Sequence, residues 1–198
     1  MKLCFIDLET TGTSPEKHGI LQIAGQLHIG IRRECFRLRV RPFHSDIIEA
    51  EAMKLHGLNP EEGAGPKDAH TELIRILSQY VDRYDKRDKF YFLAYNAHFD
   101  NTFLRKFFEK CGDKYFGSWF WFPYIDVMTL ALTRLLDRRP GMENFKLASA
   151  CRALGVEFDM ERAHGAEYDI QKTVELWEKL NLCSTNGTPG TASISTQP

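Results

Sequence analysis

Two carboxylates separated by a single residue follow an apolar run near the start of the chain. The run Leu3-Cys4-Phe5-Ile6 does not alternate with polar residues, which is typical of a strand buried on both faces of a layered sheet. Side chains at positions i and i+2 of a strand point the same way, so Asp7 and Glu9 would lie side by side. Like charges held that close repel each other unless a cation lies between them. An isolated pair of this kind is more often solvated at the entry to a loop.

Two later boundaries between predicted elements carry residues of similar chemistry. The apolar run at residues 90–95 predicts another buried strand, and NAHFD at residues 96–100 follows it, with Asp100 at the start of a helical pattern. His164 comes five residues before Asp169, which opens the last predicted helix. Five helical residues turn the chain by about 500°, so we expect His164 on the preceding loop rather than on the helix. Taken singly, Asp100 is explained by helix capping and His164 by surface exposure.

Together, D-x-E at 7–9, N-x-x-F-D at 96–100 and H-x-x-x-x-D at 164–169 resemble the motifs of the DEDDh family of DnaQ-like 3'→5' exonucleases, which have an RNase H-like fold. The resemblance covers roughly residues 2–181. It implies four carboxylate metal ligands and a general base, which are Asp7, Glu9, Asp100, Asp169 and His164. It also implies substrate contacts from neighbouring residues, namely Leu8, Thr10, Thr11, His56, Asn96 and Phe99.

The chemistry implied by the resemblance is hydrolysis of a phosphodiester bond with two divalent ions. Mg²⁺ and Mn²⁺ prefer oxygen ligands, and two ions about 3.5–4 Å apart can hold the attacking and leaving oxygens of an in-line displacement. Two such ions would balance four carboxylates, which explains how Asp7 and Glu9 tolerate each other. His164, with an ordinary pKa of about 6.5, can be neutral at physiological pH and accept the proton of the attacking water. Phe99 could stack on a base or belong to the core.

The elements that must position these residues form a mixed pattern. Residues 20–29 predict a second strand, and residues 34–41 alternate apolar residues with arginines, as an antiparallel strand with one exposed face does. Further strands are predicted at 90–95 and 119–125. Helical patterns cover residues 45–57, 67–84, 100–108, 126–136, 144–154 and 166–181. The prediction is an α/β fold in which a mixed β-sheet, three antiparallel strands plus parallel strands, carries helices on its faces, as an RNase H-like fold does.

The composition is that of an ordinary globular chain. Of the 198 residues 43% are hydrophobic, and the net charge of −1 means that an anionic substrate would need a local patch or metal ions. Five scattered cysteines without a C-x-x-C pair argue against disulfides or a zinc site and indicate a reducing compartment. No apolar stretch is long enough to span a bilayer, so we expect a cytoplasmic protein without membrane contact. Residues 1–183 are expected to form one domain. Residues 184–198 lack aromatics and charge, which predicts a disordered tail.

The resemblance therefore predicts a metal-dependent 3'→5' exonuclease that releases nucleoside 5'-monophosphates from single-stranded ends. A DNA substrate, in proofreading or repair, is favoured. An RNase T-like or oligoribonucleotide-trimming exoribonuclease is the alternative, because the 2'-hydroxyl is recognised by geometry that the sequence does not reveal. A non-catalytic nucleic-acid-binding or polymerase-accessory module is a further alternative, against which the presence of all five expected catalytic residues counts. The expected partners are single-stranded DNA or RNA 3' ends and a DNA polymerase or other replication or repair protein.

Overall fold

A five-stranded sheet forms the centre of the computed structural model, which describes residues 1–163 and 165–185. In chain order the strands are Lys2–Thr10 (β1), Ile20–Ile29 (β2), Arg32–Arg39 (β3), Tyr91–Ala94 (β4) and Ile125–Asp126 (β5). Their order across the sheet is β3-β2-β1-β4-β5. The β1–β2 and β2–β3 pairs are antiparallel, whereas β1–β4 and β4–β5 are parallel. The predicted mixed sheet, with its three-stranded antiparallel part, is confirmed.

Helices cover both faces of this sheet. The α-helices of the described residues are Ala50–His56 (α1), Pro66–Ser78 (α2), Ala97–Lys110 (α3), Val127–Arg134 (α4), Leu147–Ala153 (α5) and Ala166–Thr185 (α6). Short 3-10 turns occupy Phe116–Ser118 and Arg139–Gly141. The α/β class expected from the sequence is therefore confirmed.

The first strand is buried on both faces, as its apolar run predicts. Cys4, Ile6 and Leu8 belong to a core shared with α2 and α3. Leu3 and Phe5 belong to a second cluster, on the side where α6 packs. Since neighbouring residues of a strand point to opposite faces, this pattern fixes which side of the sheet each residue of β1 presents.

The predicted helix at 45–57 is shorter than expected. Asp46 does not cap a helix, because its carboxylate accepts a hydrogen bond from the Phe43 backbone N–H at 2.9 Å and pairs with Lys110 at 2.7 Å. His44 and Ser45 form a turn there, Ile47 makes an isolated bridge to His18, and α1 begins only at Ala50. The end of this helix was predicted correctly, since Gly57 adopts the left-handed conformation with φ 66°.

Other boundaries differ from the predictions for local reasons. Of the strand predicted at 119–125, β5 retains only the end, and Phe120 forms an isolated bridge to Phe90. Pro123 interrupts the segment and has no N–H to donate to a ladder. The helix predicted at 67–84 ends at Ser78, while α6 continues past 181 to Thr185.

Residues 186–198, which make up most of the predicted tail at 184–198, lie outside the described residues. The tail and the domain boundary at 183 therefore stay predictions. None of the helices in the described part of the chain combines the length and the apolar character needed to cross a lipid bilayer.

Candidate active site

The carboxyl ends of β1 and β4 meet at one edge of the sheet, because the two strands are parallel neighbours. Asp7 and Glu9 occupy the end of β1, and the 4% exposed Asp100 lies in the first turn of α3, directly after β4. The backbone N–H of Leu8 donates a hydrogen bond to Asp100 Oδ1 at 3.1 Å. This bond joins the first and second sequence motifs directly.

The last helix brings a fourth acid to this edge. Ile170 of α6 lies in one apolar cluster with Leu3 of β1, which places the first turn of α6 over that strand. Asp7 and Glu9 are an even number of positions from Leu3, so their side chains lie on the same face of β1 as Leu3. That face is the one that α6 covers. The charge of Asp169 contributes to raising the pKa of both carboxyl groups. The structure thus brings together all four acids predicted from the sequence.

Burial and mutual repulsion make three of these carboxyl groups hold their protons more tightly than usual. The pKa of Asp7 is raised chiefly by burial, and then by the charges of Asp100, Glu9 and Asp169. Burial, with a contribution from Asp169, raises the pKa of Glu9 to about 7. Burial also raises the pKa of Asp100 to about 8, against the opposing effect of the hydrogen bond from Leu8.

The chemistry of this donor set fits a hard divalent cation. It consists of carboxylate oxygens, and a cation among them would convert their repulsion into attraction. Within residues 1–163 and 165–185, no three His, Cys, Asp or Glu side chains are already arranged as a closed metal site. Metal binding would therefore require some of these carboxyl groups to rotate about their side-chain bonds.

These pKa shifts predict that the metal-free protein loses stability as the pH rises. Carboxyl groups with pKa values of about 7 and 8 in the folded state bind more protons than in the unfolded state, where their pKa values are about 4. The free energy of unfolding therefore falls between about pH 4 and pH 8. We expect the melting temperature in EDTA to be lower at pH 8.5 than at pH 6.5. Mg²⁺ or Mn²⁺ should raise it more at pH 8.5, and thermal scans measure both effects.

Between pH 6.5 and pH 8.5, the histidines no longer make an opposite contribution to the free energy of unfolding. Burial lowers the pKa values of His28, His56 and His70, and such groups stabilise the folded state progressively up to an unfolded pKa of about 6.5. Above that pH the carboxyl groups dominate. Glu9→Gln should reduce the pH-dependent loss, because it removes one of them. A melting temperature in EDTA that rises from pH 6.5 to 8.5 would contradict this account of the site.

Two of the predicted substrate contacts have buried side chains that hold the loop after β1. Thr10 Oγ1 donates to the Gly12 carbonyl at 2.7 Å. Thr11 is fully buried, and its hydroxyl donates to the Ile47 carbonyl at 2.6 Å and accepts from the Gly19 N–H at 2.9 Å. These side chains therefore shape the loop that follows β1.

A cleft of about 370 Å³ opens between the end of β1, α1 and the first turn of α3. Its walls include four of the predicted contacts and one predicted metal ligand, which are Leu8, Thr10, His56, Phe99 and Glu9. Phe99 is half-buried and packs against Phe103, with ring centroids 4.7 Å apart, so it serves the core while lining the cleft. The cleft thus borders the acidic cluster at Glu9.

The ring of His56 is held in one orientation beside this cleft. Nδ1 accepts a hydrogen bond from the Leu58 backbone N–H at 3.1 Å, and Nε2 lies 3.2 Å from the Thr10 carbonyl. A neutral imidazole with its proton on Nε2 satisfies both contacts. Burial lowers the pKa of His56, which also favours the neutral form.

Asn96 and His164 complete the predicted set. Asn96 is exposed and adopts the left-handed conformation, with φ 64° and ψ 51°, at the junction of β4 and α3. His164 lies outside the described residues, so its role stays a prediction. The next residue, Gly165, lines a cavity of about 310 Å³ that Glu9 also lines.

Two residues at this sheet edge were not assigned to the site from the sequence. Gln22 of β2 is paired with Glu9 across the antiparallel ladder and lines the cavity shared with Gly165. Only the register reveals this pairing, and no local pattern encodes it. Asp126 was predicted from the sequence only as the first residue of the helical pattern at 126–136. Its position at the end of a parallel strand is the signal that links it with Asp7 and Asp100.

Comparison with known proteins places this geometry in a family. The family model described as Exonuclease matches residues 4–177. Ribonuclease T of Buchnera aphidicola subsp. Schizaphis graminum is 30% identical over 187 residues, which cover 88% of this chain and 80% of that protein. Ribonuclease T of Shewanella oneidensis is 31% identical over 183 residues, with 87% and 78% covered.

Solved structures share the fold at lower identity. E. coli Exonuclease I in complex with a dT13 oligonucleotide superposes with a TM-score of 0.67 at 22% identity over 90% of this chain. A zinc-ion-bound E. coli ExoI–ssDNA complex gives a TM-score of 0.73 at 19% identity over 93% of this chain. The chain spans about two fifths of the Exonuclease I chains, 40% and 41% respectively. The predicted RNase H-like fold is thereby confirmed.

Proposed function

The chain belongs to the DEDDh family of 3'→5' exonucleases, and from that premise we propose that its four-carboxylate site hydrolyses the terminal phosphodiester bond at 3' ends of single-stranded nucleic acid. The product would be a nucleoside 5'-monophosphate. The observation that carries the proposal is the hydrogen bond from the Leu8 N–H to Asp100 Oδ1 at 3.1 Å, which fixes the acids of two motifs against each other at the mouth of a cleft.

We assign the binding of divalent metal to the acids at the sheet edge. When bound, two Mg²⁺ or Mn²⁺ ions would supply positive charge and Lewis acidity at the reacting phosphate. Asp7 is central to the set, because its pKa responds to the charges of Glu9, Asp100 and Asp169. Oxygen-only ligands of this kind are preferred by hard cations. A zinc ion is named for one structural neighbour, E. coli Exonuclease I, which supports the proposal that this chain binds a divalent metal.

His164 is proposed as the general base. An imidazole nitrogen would accept the proton of the attacking water, for which a pKa of about 6.5 is suited at neutral pH. The chain position supports this role, because Gly165 lines the same cavity as Glu9, and Asp169 lies in the first turn of the helix that follows. Within the described residues, His56 cannot easily substitute, since both of its ring nitrogens are engaged by backbone groups.

The cleft beside the acids would receive the terminal nucleotide. Leu8, Leu55 and the half-buried Phe99 offer apolar surface, and Thr10 and Gly12 line the same wall. Such a surface suits a base that is stacked or packed without being read by many polar side chains, which is typical of binding that tolerates different sequences. Recognition of single-stranded ends would follow, because a paired terminal base is not free to enter.

The sugar of the substrate, deoxyribose in DNA or ribose in RNA, is addressed by two groups of similar proteins. DNA is supported by the Exonuclease I neighbours, which are named as complexes with dT13 and single-stranded DNA. RNA is supported by relatives named Ribonuclease T, whose identity to this chain is higher, at 30% and 31%. We propose single-stranded 3' ends as the substrate class and test both sugars. Association with a DNA polymerase or a repair protein, and residence in the cytoplasm, stay predictions.

Digestion of matched end-labelled oligonucleotides tests this function and its polarity. DNA and RNA strands of one sequence, single-stranded or in duplex, should be shortened from the 3' end in Mg²⁺ or Mn²⁺ and remain intact in EDTA. A 3'-phosphate should slow digestion severely, whereas a 5'-phosphate should not. Cleavage of closed circular single strands would instead reveal an endonuclease. Binding without hydrolysis of any of these strands would favour the non-catalytic module.

A further inference from the structure

A fifth acid at the sheet edge is engaged in hydrogen bonds to the backbone of two helices. Asp126 Oδ1 accepts from the N–H groups of Asn96 at 3.0 Å, Ala97 at 3.3 Å and Met128 at 3.1 Å. Asp126 Oδ2 accepts from Thr129 Oγ1 at 2.8 Å. Both carboxylate oxygens are therefore already used as acceptors, so this acid is not available as a metal ligand in the way that its neighbours are.

These bonds serve two helices in different ways. Met128 and Thr129 lie in the first turn of α4, for which Asp126 is the N-cap residue. Asn96 and Ala97 instead form the junction between β4 and α3, where Asn96 is in the left-handed conformation with φ 64°. Two successive backbone N–H groups in such a turn converge on an anion. At this junction, the anion is the carboxylate of Asp126.

The start of α3 determines where Asp100 lies. Asp100 is in the first turn of that helix, and its Oδ1 is held 3.1 Å from the N–H of Leu8 on β1. A shift of the first turn would break this contact and move the carboxylate away from Asp7. The position of Asp100 is thus fixed from both sides, by β1 through Leu8 and by β5 through the bonds of Asp126 to Asn96 and Ala97.

We propose that Asp126 is a positioning residue for the metal site, which holds the first turn of α3 so that Asp100 meets Asp7. The proposal rests on the metal-dependent hydrolysis assigned above. Partners that orient a metal ligand without touching the metal typically change metal affinity or activity by about 10- to 100-fold when removed. Its capping of α4 is a separate, purely structural contribution, whose loss lowers thermal stability.

Three substitutions separate these two contributions. Asp126→Ala removes both. Asp126→Ser keeps an N-cap oxygen for α4, but its shorter side chain cannot place that oxygen where Oδ1 meets Asn96 and Ala97. Asp126→Asn keeps an acceptor at the Oδ1 position. We expect kcat to fall about 10- to 100-fold in the Ala and Ser variants. The Mn²⁺ concentration for half-maximal binding, measured by calorimetry without substrate, should rise by a similar factor, while KM for the oligonucleotide stays within a few-fold.

We expect Asp126→Ser to be more thermally stable than Asp126→Ala but to bind metal as weakly. Asp126→Asn should recover both the thermal stability and the metal affinity. Asp113→Ala is the matched control, because Asp113 accepts the Tyr115 N–H at 2.7 Å beyond the other end of α3. It should lower the melting temperature without changing kcat or Mn²⁺ affinity. If the Ser variant recovers metal affinity together with stability, or if Ser and Asn bind Mn²⁺ alike, the positioning role is wrong. If the wild-type protein showed no metal-dependent hydrolysis, the proposed function itself would be wrong.

Discussion

Asp7→Asn should abolish hydrolysis of single-stranded ends while making the metal-free protein more stable than the wild type. Asp7 lies among Asp100, Glu9 and Asp169, and burial and these charges raise its pKa, so its ionised form is costly without a cation. An amide of nearly the same shape carries no charge and relieves that cost. Losing one metal ligand removes several kcal/mol of transition-state stabilisation, and about 4 kcal/mol corresponds to about a 10³-fold slower rate.

The opposite signs of the two effects make this prediction specific. Steady-state digestion in Mg²⁺ measures the rate, and thermal scans in EDTA at pH 8 measure the stability. Asp137→Asn, at an exposed acid away from the sheet edge, is the matched control and should change neither quantity. A variant that loses activity together with stability would indicate that Asp7 supports the fold rather than binding metal. A variant with wild-type activity would remove Asp7 from the ligand set.

His164→Ala should slow hydrolysis by about 10²- to 10⁴-fold, the range typical of a lost general base. The four carboxylates remain, so Mn²⁺ affinity measured by calorimetry should stay close to that of the wild type. The wild-type rate should rise with pH as the imidazole loses its proton, and the variant should lack this inflection. His44→Ala, at an exposed histidine outside the described site, is the control and should keep both the rate and its pH profile.

The comparison of the two pH profiles is essential, because water bound to a divalent cation can also lose its proton near neutral pH. An inflection shared by the wild type and the variant therefore belongs to the metal site and not to His164. Near wild-type rates for His164→Ala across pH 6–9 would exclude the general-base role. In that case another acceptor must lie within reach of the attacking water.

Local patterns in the sequence predicted most of the sheet and the main acids. The strand predicted at 20–29 matches β2 to the residue, and the two-residue spacing of Asp7 and Glu9 placed both on one face of β1. The helix predicted from Ser45 is wrong over its first turn, because Asp46 pairs with Lys110, which is 64 residues away in sequence. A bond of that range outweighs the local capping preference, and no window of neighbouring residues contains it.

The same limit applies to the details of the site. Thr10 and Thr11 were predicted as substrate contacts, and their hydroxyl groups donate to the carbonyls of Gly12 and Ile47 in bonds that no local pattern reveals. The pairing of Gln22 with Glu9 depends on the register of two strands. The type and spacing of residues thus identify which side chains can do chemistry, whereas cross-strand register and long-range hydrogen bonds decide which of them support the others.

The position of β3 at the outer edge of the sheet has a consequence for how copies of this protein meet in concentrated solution. An edge strand leaves backbone groups unpaired, and these can template aggregation by pairing with another chain. On β3, residues 32, 33, 37 and 39 are all arginine. Three of these arginines pair with glutamates, namely Glu34, Glu167 and Glu62, and two copies approaching edge to edge would have to fit this row of long charged side chains between them. The strand that limits the sheet therefore also discourages its extension from one molecule to the next.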